Sequence, residues 1–277
     1  MKTKTGSKQW LWHLILLFFV LLVFYPLLYM VCSSFKSLKE IYNAGLALLP
    51  KEFSLENYQK VFTSLPILKF LGNSLVIAVL VTVFKMVTSL LASYALVFMN
   101  FKHRDAMFYF FTMTMYVPFT VLMIPNYLTI NKMGLMSTIL GVALPQLADA
   151  MGIFRMRQAM RTIPKSLVEA ARVDGVGHMT ALLRIVAPML RPAIIAQSMI
   201  FFINSWNEYF WPMLILRGDN SSYTLTLALQ TYMNSESGSA WGTSMALATI
   251  TTLVPLMLYL FTQRYIISTF MSSGIKE

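Results

Sequence analysis

The chain has 277 residues, of which 57% are hydrophobic and only 12% charged, with a mean hydropathy of +0.64 and a formal net charge of +11. Soluble domains carry about 25% charged residues, so this balance excludes an ordinary soluble domain and points to an all-α, polytopic helical membrane protein. The basic excess does not indicate nucleic acid as a partner, because the lysines and arginines flank apolar runs, which is how membrane loops are charged.

A helical span needs about 20 apolar residues. The first run, 10–31, follows Lys2, Lys4 and Lys8 and so begins like a signal peptide. Its apolar part is too long for a cleaved signal and has no small-x-small cleavage site, which predicts a retained first helix. The segment 33–70 contains "LPKEFSLENYQKVF" and is polar enough to be solvated, with a short helix or two. The second span is expected at 71–98. On it Ser74, Ala78, Thr82, Lys85, Ser89 and Ser93 share one helical face, a stripe of small and hydroxylated residues suited to close helix packing.

Spans three and four are expected at 106–130 and 135–154, the latter containing Asp149. The segment 155–193 is a charged loop. A fifth span at 194–216 carries Gln197, Asn204 and Glu208 at i, i+7 and i+11, with Asn207 beside them. Such a polar stripe should face the interior of a bundle. Trp206 and Trp211 lie in the same stretch. Beside amide and acid groups they suit sugar rings, and the competing reading places them in an interfacial aromatic belt. The sixth span is expected at 244–261. Strands are excluded because the runs are long and do not alternate.

With a cytoplasmic N-terminus, 14 lysines and arginines fall in inside segments and 7 outside. That bias puts both termini and the 155–193 loop in the cytoplasm and 33–70 outside. Lys85, Asp149 and Glu208 are the ionisable residues within spans, and each needs a polar partner there. Helical rise places Glu208 roughly 9 Å and Asp149 roughly 12 Å in depth from Lys85, which leaves the pairing open.

Within the loop, "TIPKSLVEAARVDG" reads as a helix capped by Thr162 with Pro164 in its first turn. Ile163, Leu167, Ala170 and Ala171 lie on one face, and Gly175 permits a left-handed stop. "HMTALLRIVA" reads as a second short helix ended by Pro188. Two helices at a corner make a knob that another protein can approach closely over Ala170 and Ala171. The plain alternative is a solvated tether between spans.

"EAARVDGVGHMTALLRIVAPMLRP" (169–192) resembles the EAA motif of ABC importer permeases, with Glu169, Ala170, Ala171, Asp174 and Gly175 followed by Ile185 and Pro188. "LENYQKVF" (55–62), "NS" (73–74), "WNEYFWP" (206–212) and "YTLTLAL" (223–229) resemble further elements of the carbohydrate-uptake branch, and the whole is most like its MalG-type six-span subunit. The resemblance implies that the loop holds coupling helices docked on cytoplasmic ATPase subunits. It also implies a second permease subunit, two ATPase subunits and an extracytoplasmic substrate-binding protein as partners, in a bacterial or archaeal inner membrane. Asn204, Trp206, Asn207, Glu208 and Trp211 are candidate pathway residues.

The chain has no G-x-x-x-x-G-K-[ST] and so cannot bind ATP by that device. It needs no cofactor of its own, and ATP and Mg are expected in the partner ATPase. Cys32 is the single cysteine, and His13, His103 and His178 are scattered, so no metal site is expected. Two classes remain. One is an importer permease for an oligosaccharide, or alternatively for glycerol-3-phosphate or a related diester. The other is an autonomous secondary transporter using Lys85, Asp149 and Glu208 as an ion relay.

Overall fold

In lipid the backbone must satisfy its own polar groups, and a continuous apolar run does so as a helix. The computed structural model describes residues 6–44, 47–217, 220–235 and 241–274, and every regular element among them is helical. Lys2, Lys4 and Lys276, which enter the charge count, lie outside the described residues. The helices are α1 (Gly6–Ser34), α2 (Leu38–Ala44), α3 (Glu56–Ser64), α4 (Ile67–Phe98), α5 (Arg104–Thr114), α6 (Phe119–Lys132), α7 (Ile139–Ala143, prolonged by a 3-10 turn at Leu144–Gln146) and α8 (Ala150–Met160). They continue as α9 (Lys165–Val173), α10 (His178–Met189), α11 (Arg191–Asn207), α12 (Phe210–Ile215), α13 (Leu225–Ser235) and α14 (Trp241–Gly274). The segment 33–70 accordingly holds two short helices, α2 and α3.

Three stretches are long and apolar enough to cross a membrane unaided: Gln9–Ser34, Ile67–Phe98 and Trp241–Tyr265. Three bent pairs bring the possible number of spans to six. Within the stretches expected as spans at 106–130, 135–154 and 194–216 the helix is bent or broken. In the first, α5 and α6 meet at 94°, because Pro118 has no N–H to donate and forces the residue before it out of the helical region. In the second, α7 with its 3-10 turn meets α8 at 49°, and the Asp149 carboxylate accepts the Gly152 N–H at 2.5 Å to start a new helix. In the third pair α10 meets α11 at 87°, and the stretch expected at 194–216 is broken again where α11 stops at Asn207 and α12 restarts at Phe210.

The chain forms two compact units, Met1–Ile67 with Leu229–Leu253 and Leu68–Ala228 with Val254–Glu277. In the first, the buried Asn57 amide donates to the carbonyls of Ser34 at 3.0 Å and Lys36 at 2.7 Å. Gly242 lies so close that a Cβ there would meet that amide at 2.7 Å. Lys36 is 1% exposed, with its ammonium on the Ala47 carbonyl and over the Tyr29 ring. None of the apolar window of α1 is buried within the chain, so its surface is left for lipid or another subunit.

The second unit is built on α4. One end of α4 contributes Ile77 and Val81 to a core with Val142, Trp211, Ile215 and Leu227. The other end contributes Tyr94 and Val97 to a core with Met156, Met160, Val168 and Leu182. Between them the small-residue stripe is the packed face. Ser74, Ala78, Ser89 and Ser93 are buried, and Ser93 donates to the Ile153 carbonyl at 2.9 Å. The approach of α8 is so close that a Cβ on Gly152 would meet Ser89 Oγ at 2.6 Å and Phe201 at 2.4 Å.

Candidate functional site

The loop 155–193 folds as a helix, a left-handed corner and a second helix. Helix α9 begins at Lys165, with Pro164 in the capping position and no side-chain cap. Thr162 does not cap it, because its hydroxyl donates backwards to the Ala159 carbonyl at 2.8 Å. Helix α9 ends in a Schellman arrangement. The Val176 N–H reaches the Ala171 carbonyl at 3.0 Å and the Gly175 N–H reaches that of Arg172 at 3.1 Å. Gly175 closes it with φ +81°, a conformation that a residue with a Cβ enters at a cost. Arg172 then donates to the Val176 carbonyl at 3.1 Å and pins the corner.

Helix α10 continues through Pro188 to Met189, so the proline does not end it as expected. Pro188 has no N–H for the preceding turn, and that stretch, Leu182–Val186, is wound as a π-helix. The turn to α11 comes at Leu190, where α10 lies at 87° to α11 and so runs across its end.

The expected face of α9 divides. Ile163 and Val168 are buried in the core with Tyr94, Met160 and Leu182. Leu167 is 42% exposed and Val173 88%, and Glu169, Ala170 and Asp174 are exposed as well. On α10, Met179 and Leu183 are exposed while Ala181, Leu182 and Val186 are buried. Ile185 packs partly against the core and Pro188 is exposed. The knob is therefore seated on one face and leaves an outer face of apolar residues, Leu167, Ala170, Val173, Met179 and Leu183, with exposed carboxylates at Glu169 and Asp174. A hydrogen bond of 3.3 Å from Tyr94 of α4 to the His178 ring ties the knob to the long helix. In the sequence His178 is one of three scattered histidines, and nothing in its neighbourhood announced a partner 84 residues away.

The stretches that resemble elements of the carbohydrate-uptake branch meet one another. Asn73 donates to the Tyr223 carbonyl at 3.1 Å, and the adjacent Ser74 hydroxyl accepts the Leu225 N–H at 2.7 Å. Thr226 donates to the Trp206 carbonyl at 2.7 Å. "NS", "YTLTLAL" and "WNEYFWP" thus form one joint.

Lys85 pairs with Asp149 at 3.6 Å, with side chains 14% and 28% exposed, and its ammonium lies 5.5 Å from the centre of the Phe201 ring. Asp149 therefore serves two groups, the lysine through Oδ2 and the Gly152 N–H through Oδ1. Glu208 is not part of this pair. Its Oε1 accepts the N–H groups of Phe210 at 3.0 Å and Trp211 at 3.1 Å, which starts α12 after the break. Replacing a capping group of this kind by alanine costs about 1 kcal/mol. Glu208→Ala should lower the thermal unfolding midpoint of the purified protein, and Glu208→Gln, which keeps an acceptor, should lower it less. Equal midpoints for all three forms would remove the capping role.

Trp206 is 1% exposed and stacks on Phe202 with ring centres 5.8 Å apart. Trp211 is fully buried and donates from its ring nitrogen to the Val142 carbonyl at 3.1 Å. Both indoles are engaged in packing, which corrects the reading of them as sugar platforms or an exposed belt. Of the stripe on α11, Gln197 is buried, while Asn204 and Asn207 are exposed. Among the described residues no group of three or more His, Cys, Asp and Glu could hold a metal ion.

The family described as "Binding-protein-dependent transport system inner membrane component" matches residues 85–268. The arabinooligosaccharides transport system permease protein AraQ of Halalkalibacterium halodurans is 30% identical over 281 residues, covering 100% of both chains. The sn-glycerol-3-phosphate transport system permease protein UgpE of Yersinia pestis is 32% identical over 263 residues, covering 92% of this chain and 93% of its own. Among solved structures, a chain of a bacterial ABC transporter involved in import of the acidic polysaccharide alginate has the same fold, with a TM-score of 0.83 at 22% identity over 96% of this chain and 99% of that one. A second alginate transporter structure, in complex with an alginate pentasaccharide-bound periplasmic protein, gives 0.68 at 15% identity over 94% of each chain.

Proposed function

We propose, from the premise that this chain belongs to the binding-protein-dependent transport system inner membrane components, that it forms half of an importer's translocation pathway and is driven through the 155–193 knob. The chain is a membrane-spanning permease subunit of an ABC importer rather than an autonomous transporter. The observation that carries the coupling role is the knob's construction, a rigid inner face on the core and an exposed outer face bearing Leu167, Glu169 and Ala170. In this reading Glu169 meets a basic group of an ATPase subunit and Ala170 and Ala171 admit its backbone. Gly175 holds the corner, and Asp174, Ile185 and Pro188 complete the motif. ATP and Mg are bound by the two ATPase subunits, and closure of that pair moves α9 and α10 as a body. A second permease subunit completes the pathway and an extracytoplasmic binding protein delivers the substrate. Both termini and the knob lie in the cytoplasm.

The substrate is a sugar or oligosaccharide. Asn204 and Asn207, exposed polar residues near the C-terminal end of α11, are uncharged amides that both donate and accept, which suits hydroxyl groups. Relatives named for arabinooligosaccharides and for sn-glycerol-3-phosphate make the phosphate ester the alternative. The test is uptake into proteoliposomes holding the assembled complex and its binding protein. Labelled arabino-oligosaccharide should enter only with ATP inside, and glycerol-3-phosphate should not compete. ATP-dependent uptake of labelled glycerol-3-phosphate, with no oligosaccharide uptake, would reverse the assignment.

A further inference from the structure

The knob is joined to the rest of the chain through bends on both sides. Backwards, α9 leads through α8 to the 49° break at Asp149. Forwards, α10 leads through the 87° turn at Leu190 into α11, which stops at Asn207. A displacement passed along either route meets a break in the helix before it reaches the far side. Helix α4 is a straight route. It runs unbroken from Ile67 to Phe98 and contains no proline. At about 1.5 Å per residue, Ser74 and Tyr94 stand about 30 Å apart on one rod.

Both ends of this rod are fastened. At the knob end, Tyr94 is 4% exposed and packs in the core with Val168 of α9 and Leu182 of α10. Its hydroxyl and His178 Nδ1, in the first turn of α10, share the hydrogen bond of 3.3 Å, and the two rings meet edge to face with centres 5.9 Å apart. The neighbouring Ser93 fastens α8 through the Ile153 carbonyl. At the far end, Asn73 and Ser74 hold the Tyr223 carbonyl and the Leu225 N–H, and Thr226 holds the Trp206 carbonyl at the end of α11. Apolar contacts are non-directional and let packed helices slide. A hydrogen bond demands an angle as well as a distance, so the Tyr94–His178 bond fixes where the knob bears on α4.

We infer that Tyr94 and His178 are positioning residues of the transport cycle. Through their bond a displacement of the knob moves α4 as a rod, and α4 carries it to the 223–226 joint and so to the end of α11 at Asn207. The inference rests on the reading of the knob as the surface that the ATPase holds.

The test uses the assembled complex with its binding protein in proteoliposomes. Substrate moved per ATP hydrolysed is the first readout. The second, in a Cys32→Ser background, is the ATP-dependent change in thiol reactivity of a cysteine at Tyr209, an exposed position just beyond α11. A photoreactive residue at Ala170 reports in parallel whether the ATPase holds the knob. Tyr94→Phe keeps the buried ring, and His178→Ala removes the ring nitrogen. Each should lower substrate moved per ATP about fivefold, the worth of one hydrogen bond, and flatten the response at position 209. The adduct at position 170 should persist. The double variant should be no worse than either single one, because both remove the same bond. His178→Asn, whose amide takes the place of Nδ1, should recover most of both readouts. Wild-type readouts from Tyr94→Phe and His178→Ala, with the adduct intact, would overturn the inference and leave the reading of the knob standing. His178→Asn as defective as His178→Ala would reduce the contact to packing and overturn it too. No adduct in the otherwise unaltered complex would remove the reading of the knob and this inference with it.

Discussion

Gly175→Leu should leave the protein in the membrane at wild-type abundance and reduce uptake by at least tenfold. Nothing lies within 4 Å of a Cβ at this position, so crowding is not the obstacle. The obstacle is φ +81°, where an L side chain costs roughly 1–2 kcal/mol. The corner escapes that strain by unwinding, and it then loses the bonds of Val176 to Ala171 and Gly175 to Arg172. Helix α9 would no longer be fixed relative to α10, and a push on its outer face would be absorbed in the corner. Gly175→Asn separates backbone strain from loss of glycine as such, because asparagine enters the left-handed region readily. It should keep most of the uptake. Radiolabelled substrate uptake by cells, scaled to permease in the membrane fraction, measures both. Wild-type uptake by the leucine variant would make the knob a passive tether.

The second large effect concerns Lys85 and Asp149. Lys85→Met leaves a carboxylate in an apolar setting with only the Gly152 N–H for company. Breaking one side of a buried pair costs about 3–5 kcal/mol, and the partial exposure of this pair, 14% and 28%, places the loss near the lower end. Asp149→Asn leaves the lysine uncompensated but keeps a capping oxygen for α8, since asparagine caps as well as aspartate. The double variant Lys85→Met, Asp149→Asn removes both charges and keeps the cap. Each single variant should therefore accumulate poorly and lose most of its uptake, while the double variant recovers much of both. If the double variant is instead as defective as the singles, the two charges act separately, and a role in moving ions or substrate becomes the better account.

Much of this was legible before any coordinates. Run length and charge bias are properties of composition, so the helical membrane class and the number of apolar runs followed from them directly. The stripe from Ser74 to Ser93 is a periodicity, and periodicity survives folding. What escaped is of a different kind. The bend at Pro118 and the breaks at Asp149 and Glu208 sit inside stretches that read as single spans, where single residues change the hydrogen bonding without ending the run. The partner of Lys85 was undecidable because depth along two helices says nothing of their rotation. Trp206 and Trp211 were misread for a related reason: an aromatic beside polar residues is ambiguous until its ring contacts are known, and both rings face inward to Phe202 and Val142. At the knob, the sequence located the corner at Gly175 but placed Ile163 and Leu167 on one surface. The core takes Ile163 and leaves Leu167 outside.

The account rests on the outer face of α9 being the surface that the ATPase holds. A photoreactive residue placed at Ala170, exposed on that face, tests this in the assembled complex, with the buried Val168 as its control. Illumination at position 170 should give an adduct between permease and ATPase subunit whose yield changes on adding ATP, and illumination at position 168 should give none. An intact complex that yields no such adduct from position 170 would contradict the account.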